Sequence, residues 1–156
     1  MTAKSIQELM DEAYRIQCEF INGSDPDDVS LTNFIAANEE GKLFVYVTPF
    51  DGEDSKRAVV SLLRGEFKKH NVVHYVMATE AWVSKQKIDE ERKYETASED
   101  PNRADVLMIT GVGRDGTVIS LSAEIIVADD NKRHVDSSVT ISDYDSIAGR
   151  MTELLK

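Results

Sequence analysis

From Val72 to Ser84 the chain alternates in a way that only an extended strand can use. Val73, Tyr75, Met77, Thr79, Ala81 and Val83 fall on one side, and His74, Glu80 and Trp82 fall on the other with Val72, Val76 and Ala78. Two later stretches repeat the contrast. Ile119, Leu121, Ala123, Ile125 and Val127 oppose Ser120, Ser122 and Glu124, while Val135, Val139 and Ile141 oppose His134, Asp136, Ser138 and Thr140. Alternation of this kind predicts a mainly antiparallel sheet with one core face and one wetter face.

Helical periodicity brackets the strands. Ser5-Ile6-Gln7-Glu8 has the spacing of a capping box, and Ile6, Leu9, Met10, Ala13, Ile16 and Phe20 form a stripe on a helix over about 5–21. Leu31 to Asn38 and Lys42 to Phe50 read as strands joined at Glu39-Glu40-Gly41. After a polar connection at Asp51 to Asp54, residues Ala58, Val59, Leu62, Leu63 and Phe67 mark a second helix ending near Asn71, with Gly65 as an unfavourable interior residue. Ser142-Asp143-Tyr144-Asp145 predicts the start of a third, whose stripe is Tyr144, Ile147, Ala148, Met151, Leu154 and Leu155.

The fold class expected is therefore α+β, about six strands and three amphipathic helices in the order α-β-β-α-β-β-β-β-α, with the helices on the apolar face. At 156 residues one domain spanning 1–156 is the natural size. The segment 85–105 stands apart, with 12 charged residues among 21, and reads as a solvated excursion.

Charge limits the partners. The formal net charge is −11 and is shared evenly: residues 1–78 carry 8 basic and 13 acidic side chains, and residues 79–156 carry 10 and 16. With no basic lobe to displace counterions, nucleic acid is not an expected partner. An acidic mimic of nucleic acid would need an ordered charge pattern, which the sequence lacks. No apolar run approaches the ~18 residues of a membrane span, and the start MTAKSIQELMDE has no secretion-signal core. A lone Cys18 precludes an internal disulfide and suits a reducing cytoplasm.

Motif searches yield little chemistry. Gly111-Val112-Gly113-Arg114-Asp115-Gly116 spells a dinucleotide fingerprint, but Thr117 to Ser122 alternates as a strand where a helix is required, so Asp115-Gly116 reads as a hairpin turn. His70 and His74 are separated by about 13 Å if extended, too far to share one ion. His134, Asp136 and Glu124 could approach a metal, but without a recognised ligand spacing they read as a hydrated sheet face. No metal or cofactor is expected. Cys18 has no nearby base to activate it.

One constellation rises above this background. Glu80 and Trp82 share a face where their strand meets the charged excursion, and Arg103 and Asp105 lie where the chain returns. Arg103 pairing with Glu80 would make either a structural clamp or, with the indole, a ligand or protein contact. Glu80-Ala81-Trp82, Pro101, Arg103-Ala104-Asp105 and Val106-Leu107-Met108-Ile109 before a glycine turn resemble a pattern in small uncharacterised bacterial and phage proteins, which have glutamate at the position of Asp105. The resemblance covers about 31–127 and implies an α+β domain without an activity.

The functional expectation is a non-enzymatic binding module that self-associates, because Phe44, Tyr46, Phe50 and Trp82 need cover beyond a one-sided helical layer. A symmetric homodimer or another protein partner would supply it. The alternative expectation is a small-molecule or metal-dependent enzyme using His74, Glu80, Glu124, His134 and Asp136 on the polar sheet face.

Overall fold

The computed structural model describes residues 5–48, 52–83, 104–143 and 154–155. Helix α1, Ile6–Ile21, starts at Ser5, whose side chain accepts the Glu8 N–H at 3.1 Å, and closes with Asn22 N–H donating to the Cys18 carbonyl at 2.9 Å. The expected cap is present. The buried stripe, however, is Leu9, Met10, Ala13, Gln17 and Ile21, while Ile16 and Phe20 are exposed. Gln17 has taken a core position where Phe20 was expected, and its Oε1 finds no hydrogen-bond partner among the described residues.

Strands β1, Asn33–Asn38, and β2, Leu43–Val47, form the first hairpin, and Gly41 at φ 84° supplies its left-handed residue. Helix α2, Gly52–Lys69, begins earlier than its apolar pattern, so 52–54 belong to the helix and not to a connection. It ends before Asn71, at φ 56°. Strands β3, Val72–Val83, β4, Ala104–Gly113, β5, Val118–Val127, and β6, Arg133–Asp143, complete the sheet.

The six strands run β2-β1-β3-β4-β5-β6, every neighbouring pair antiparallel. The fold is α+β, as the patterning required. Asp105 lies inside β4, so the charged excursion ends before it, and the rest of that segment, with Arg103, falls outside the described residues. β6 continues through Ser142 and Asp143, which therefore close a strand instead of opening a third helix; residues 144–153 of that expected helix also fall outside the described residues. Two helices stand among those described.

The expectation of a one-sided helical layer is overturned, because both sheet faces are apolar in the middle and each receives a helix. On one face α1 packs Leu9, Met10, Ala13 and Ile21 against Ile35, Ala37, Val76, Ala78, Leu107 and Ile109. On the other, α2 sets Val60, Leu63 and Phe67 against Phe34, Ala36, Tyr75 and Val112, with Leu154. Phe67 and Tyr75 sit with ring centroids 5.1 Å apart, within the range of favourable aromatic pairs. Strands β1, β3, β4 and β5 contribute to both cores.

The glycine fingerprint resolves as a hairpin. Gly116, at φ 94°, donates its N–H to the Gly113 carbonyl at 3.0 Å, and Asp115 accepts the Thr117 N–H at 3.0 Å. Gly111 has a different task. A Cβ there would stand 2.4 Å from Ile6 Cγ2 and 3.0 Å from Met10 Sδ, so α1 lies directly on the β4 backbone.

Candidate functional site

At the end of β3, the backbone register places Trp82 opposite Asp105 and Glu80 opposite Leu107. Glu80 and Asp105 thus occupy one face, the α1 side, as period-two spacing implies. Only Glu80 has described side-chain bonds there, and they point inward. Its Oε2 accepts from Ser30 N at 2.6 Å and Ser30 Oγ at 2.5 Å, and its Oε1 accepts from Arg133 Nη2. Arg133 Nη1 also donates to the Asp28 carbonyl.

The Glu80 and Arg133 side chains are 9% and 5% exposed, so this is a buried ion pair. It bolts the 22–32 connection onto β3 and β6. Glu80 is clamped by Arg133; its expected partner Arg103 falls outside the described residues. Arg133 carried a legible signal: in its strand it shares parity with Val135, which faces the α1 core. A charged residue on that parity needs a buried partner, and Glu80 breaks the same face of β3. Asp105 is exposed.

The proposed polar constellation does not assemble. His74 lies six residues before Glu80 on β3, about 20 Å away along an extended strand. Its Nδ1 is buried with no hydrogen-bond partner among the described residues. His134 stands opposite Ile126 and its Nε2 is 3.0 Å from Asp130 Oδ2. Asp130, which also accepts the Lys132 N–H, is held below the usual carboxylate range by that backbone bond first and by His134 second. Asp136, across a register shift in β6, lies within electrostatic reach of Tyr14 on α1, and Glu124 pairs with Val106 on β4. No group of three or more His, Cys, Asp or Glu among the described residues is placed to hold a metal ion. His70 closes α2, 3.2 Å from Glu66 and stacked on Phe44 at 4.4 Å, remote from His74's side of the sheet.

Cys18 is half-buried on α1, where it hydrogen-bonds Tyr14 and packs against the α1-side core. Burial pushes its thiol up, against a smaller opposing effect of the Tyr14 hydrogen bond, which disfavours the nucleophilic thiolate. Burial likewise raises Tyr14, helped by the bond to Cys18.

The open apolar surface lies on the opposite edge. Phe44 and Tyr46 are covered by α2, whereas their strand neighbours Leu43, Val45 and Val47 are 39%, 64% and 58% exposed. The need for cover is therefore reversed: it falls on the α1 side of β2. Phe50 is outside the described residues, as is the side chain of Trp82. Thr48 N–H donates to Thr32 O at 2.9 Å and Asn38 N–H to Lys42 O at 3.1 Å, which fixes the alternation between them. Phe44 and Tyr46 turn their backbone groups toward β1, and Leu43, Val45 and Val47 turn theirs outward. On α1, Tyr14 lies within electrostatic reach of Asp136 on β6, and at about 100° per residue Ile16 and Phe20 fall on the opposite flank, toward β2. Both are exposed.

These features define an α+β chain with a buried structural ion pair and an unprotected apolar edge, in which no described helix is long and apolar enough to cross a membrane. No protein-family model, curated protein or solved structure matches it.

Proposed function

We propose that the chain is a binding module that self-associates by pairing β2 with β2 of a second copy. The observation carrying this reading is the edge itself: Leu43-Phe44-Val45-Tyr46-Val47 contains no charge and no proline, and its outward residues are exposed. Edge strands ordinarily carry such guards, because their free N–H and C=O groups recruit another strand. A two-fold axis through Val45 aligns Leu43 of one copy with Val47 of the other, joining all three outward residues in hydrogen-bonded register. The exposed Ile16 and Phe20 on the α1 flank extend the contact beyond the strand, toward the area a stable interface needs.

The reading is tested by sedimentation equilibrium of the 17.5 kDa chain and a Val45→Lys variant. The wild type should sediment as a dimer of about 35 kDa at tens of micromolar, and V45K as a monomer, because two ammonium groups would meet at the axis. Val45 is exposed, so the unfolding free energy of the V45K monomer should stay within about 0.5 kcal/mol of the dissociated wild type. A wild type that remains monomeric at several hundred micromolar refutes the proposal.

A further inference from the structure

In a chain of net charge −11, α2 is locally basic. Residues 52–71 carry five basic and three acidic side chains. Arg57, Arg64 and Lys68, at positions i, i+7 and i+11, lie on one exposed helix face and form no ion pair among the described residues. Arg64 and Lys68 border a groove of about 470 Å³ that runs between α2 and the β4–β5 turn. Its far rim is Arg114, whose Nη1 donates to Glu39 at 3.0 Å and Nη2 to the Val72 carbonyl at 2.8 Å, so this cation is held in place. Phe67, Val72 and Leu155 give the groove an apolar floor. A second hollow of about 310 Å³ shares Arg64 and reaches Arg57.

Gly65 is the independent observation. It lines the groove in the middle of α2, at a position where an added Cβ would meet no atom within 4 Å. The fold has no steric need for glycine there, and alanine would favour the helix. The missing side chain keeps space open over the helix between the cations.

We propose that this groove binds a small phosphate-bearing ligand with an apolar body. Two guanidinium groups and an ammonium suit a dianion, and a guanidinium offers the planar pair of donors that phosphate accepts. The volume is that of an ordinary small-molecule site, and the floor suits an aromatic ring or short alkyl group. The acidic remainder of the molecule selects for size. A ligand with two charges responds to cations within a Debye length of about 8 Å, whereas a polyanion meets the repulsion of the whole surface.

The test uses 1-naphthyl phosphate as the probe, with inorganic phosphate and 1-naphthol as comparators, in calorimetric and amide-shift titrations of the full chain. The ester should bind with a sub-millimolar Kd and shift the amides of Arg64, Lys68, Val72 and Arg114, with each comparator at least about tenfold weaker. Arg64→Gln with Lys68→Gln should weaken the ester about tenfold at unchanged Tm, since both side chains are exposed. Gly65→Ala should raise Tm and yet weaken the ester, a combination that a purely structural glycine cannot give. Absence of saturable binding up to about 10 mM, equal affinity of the double variant, or naphthol binding as tightly as its ester overturns the site. Unaltered binding by G65A overturns the role given to Gly65.

Discussion

The Glu80–Arg133 pair offers the sharpest test of how this fold is held. Arg133→Met removes the Nη2 bond to Glu80 and the Nη1 bond to the Asp28 carbonyl, leaving a nearly buried carboxylate with only the two Ser30 donors. Breaking one side of such a pair costs about 3–5 kcal/mol, because the remaining charge stays desolvated. For a chain of this size each kcal/mol is worth roughly 2–4 °C, so Tm should fall by about 6–20 °C. Glu80→Met should cost a similar amount, since Arg133 keeps one carbonyl as partner. The double variant E80M/R133M removes both charges and fills the space, so its loss should be far below the sum of the singles, with a coupling of at least about 2 kcal/mol. Urea unfolding of the four proteins at one fixed concentration, followed by circular dichroism, measures all of these terms. Single variants that lose less than about 1 kcal/mol, or losses that simply add, would place the pair among ordinary surface bridges and refute the reasoning.

Gly111→Ala should destabilise by about 1–3 kcal/mol in the same assay, because the new methyl would overlap Ile6 and Met10 where α1 rests on β4. Cys18 should react with a thiol reagent at pH 7.5 about tenfold or more slowly than free cysteine, since burial raises its pKa; equal rates would contradict its placement. Asp130 has a folded pKa below its unfolded value, so its contribution is complete above about pH 4 and disappears as pH falls through the lower folded value. Asp130→Asn should therefore flatten the acid limb of the stability profile, measured by thermal unfolding from pH 2 to 6.

The legible parts of the fold were those governed by local geometry. Ser5 and Glu8 announced a helix start, Gly41 and Gly116 announced turns that need positive φ, and period-two spacing located the strands. Failures came where two distant segments decide the outcome. Ile16 and Phe20 match the helical period as well as Gln17 does, and only the line along which α1 meets the sheet determines which enters the core. The apolar residues of α2 begin at Ala58, but its first turn at 52–54, Gly-Glu-Asp, is polar enough in sequence to resemble a loop. A one-sided layer does not form because the β3 face that carries His74 and Glu80 also carries Val76 and Ala78, which lie under α1. Of the candidate site, Glu80 was legible as a residue in need of a partner and Arg133 as a charge on a core parity, but their meeting depends on two strands that are not neighbours in the sheet, which no local pattern encodes.

The seat of α1 on Gly111 bears on the order in which the chain assembles during synthesis. Helix α1 buries its apolar stripe mainly against β3 and β4, and its C-terminal end is secured by Gly23 donating to the Arg133 carbonyl at 2.8 Å. Until β3 and β4 have been made, that stripe has no surface to land on. The helix finds its seat only once β3 and β4 have paired, and its C-terminal end is fixed only when β6 is in place, so α1 settles through contacts of long sequence separation and folding is slower than the helical content alone would suggest.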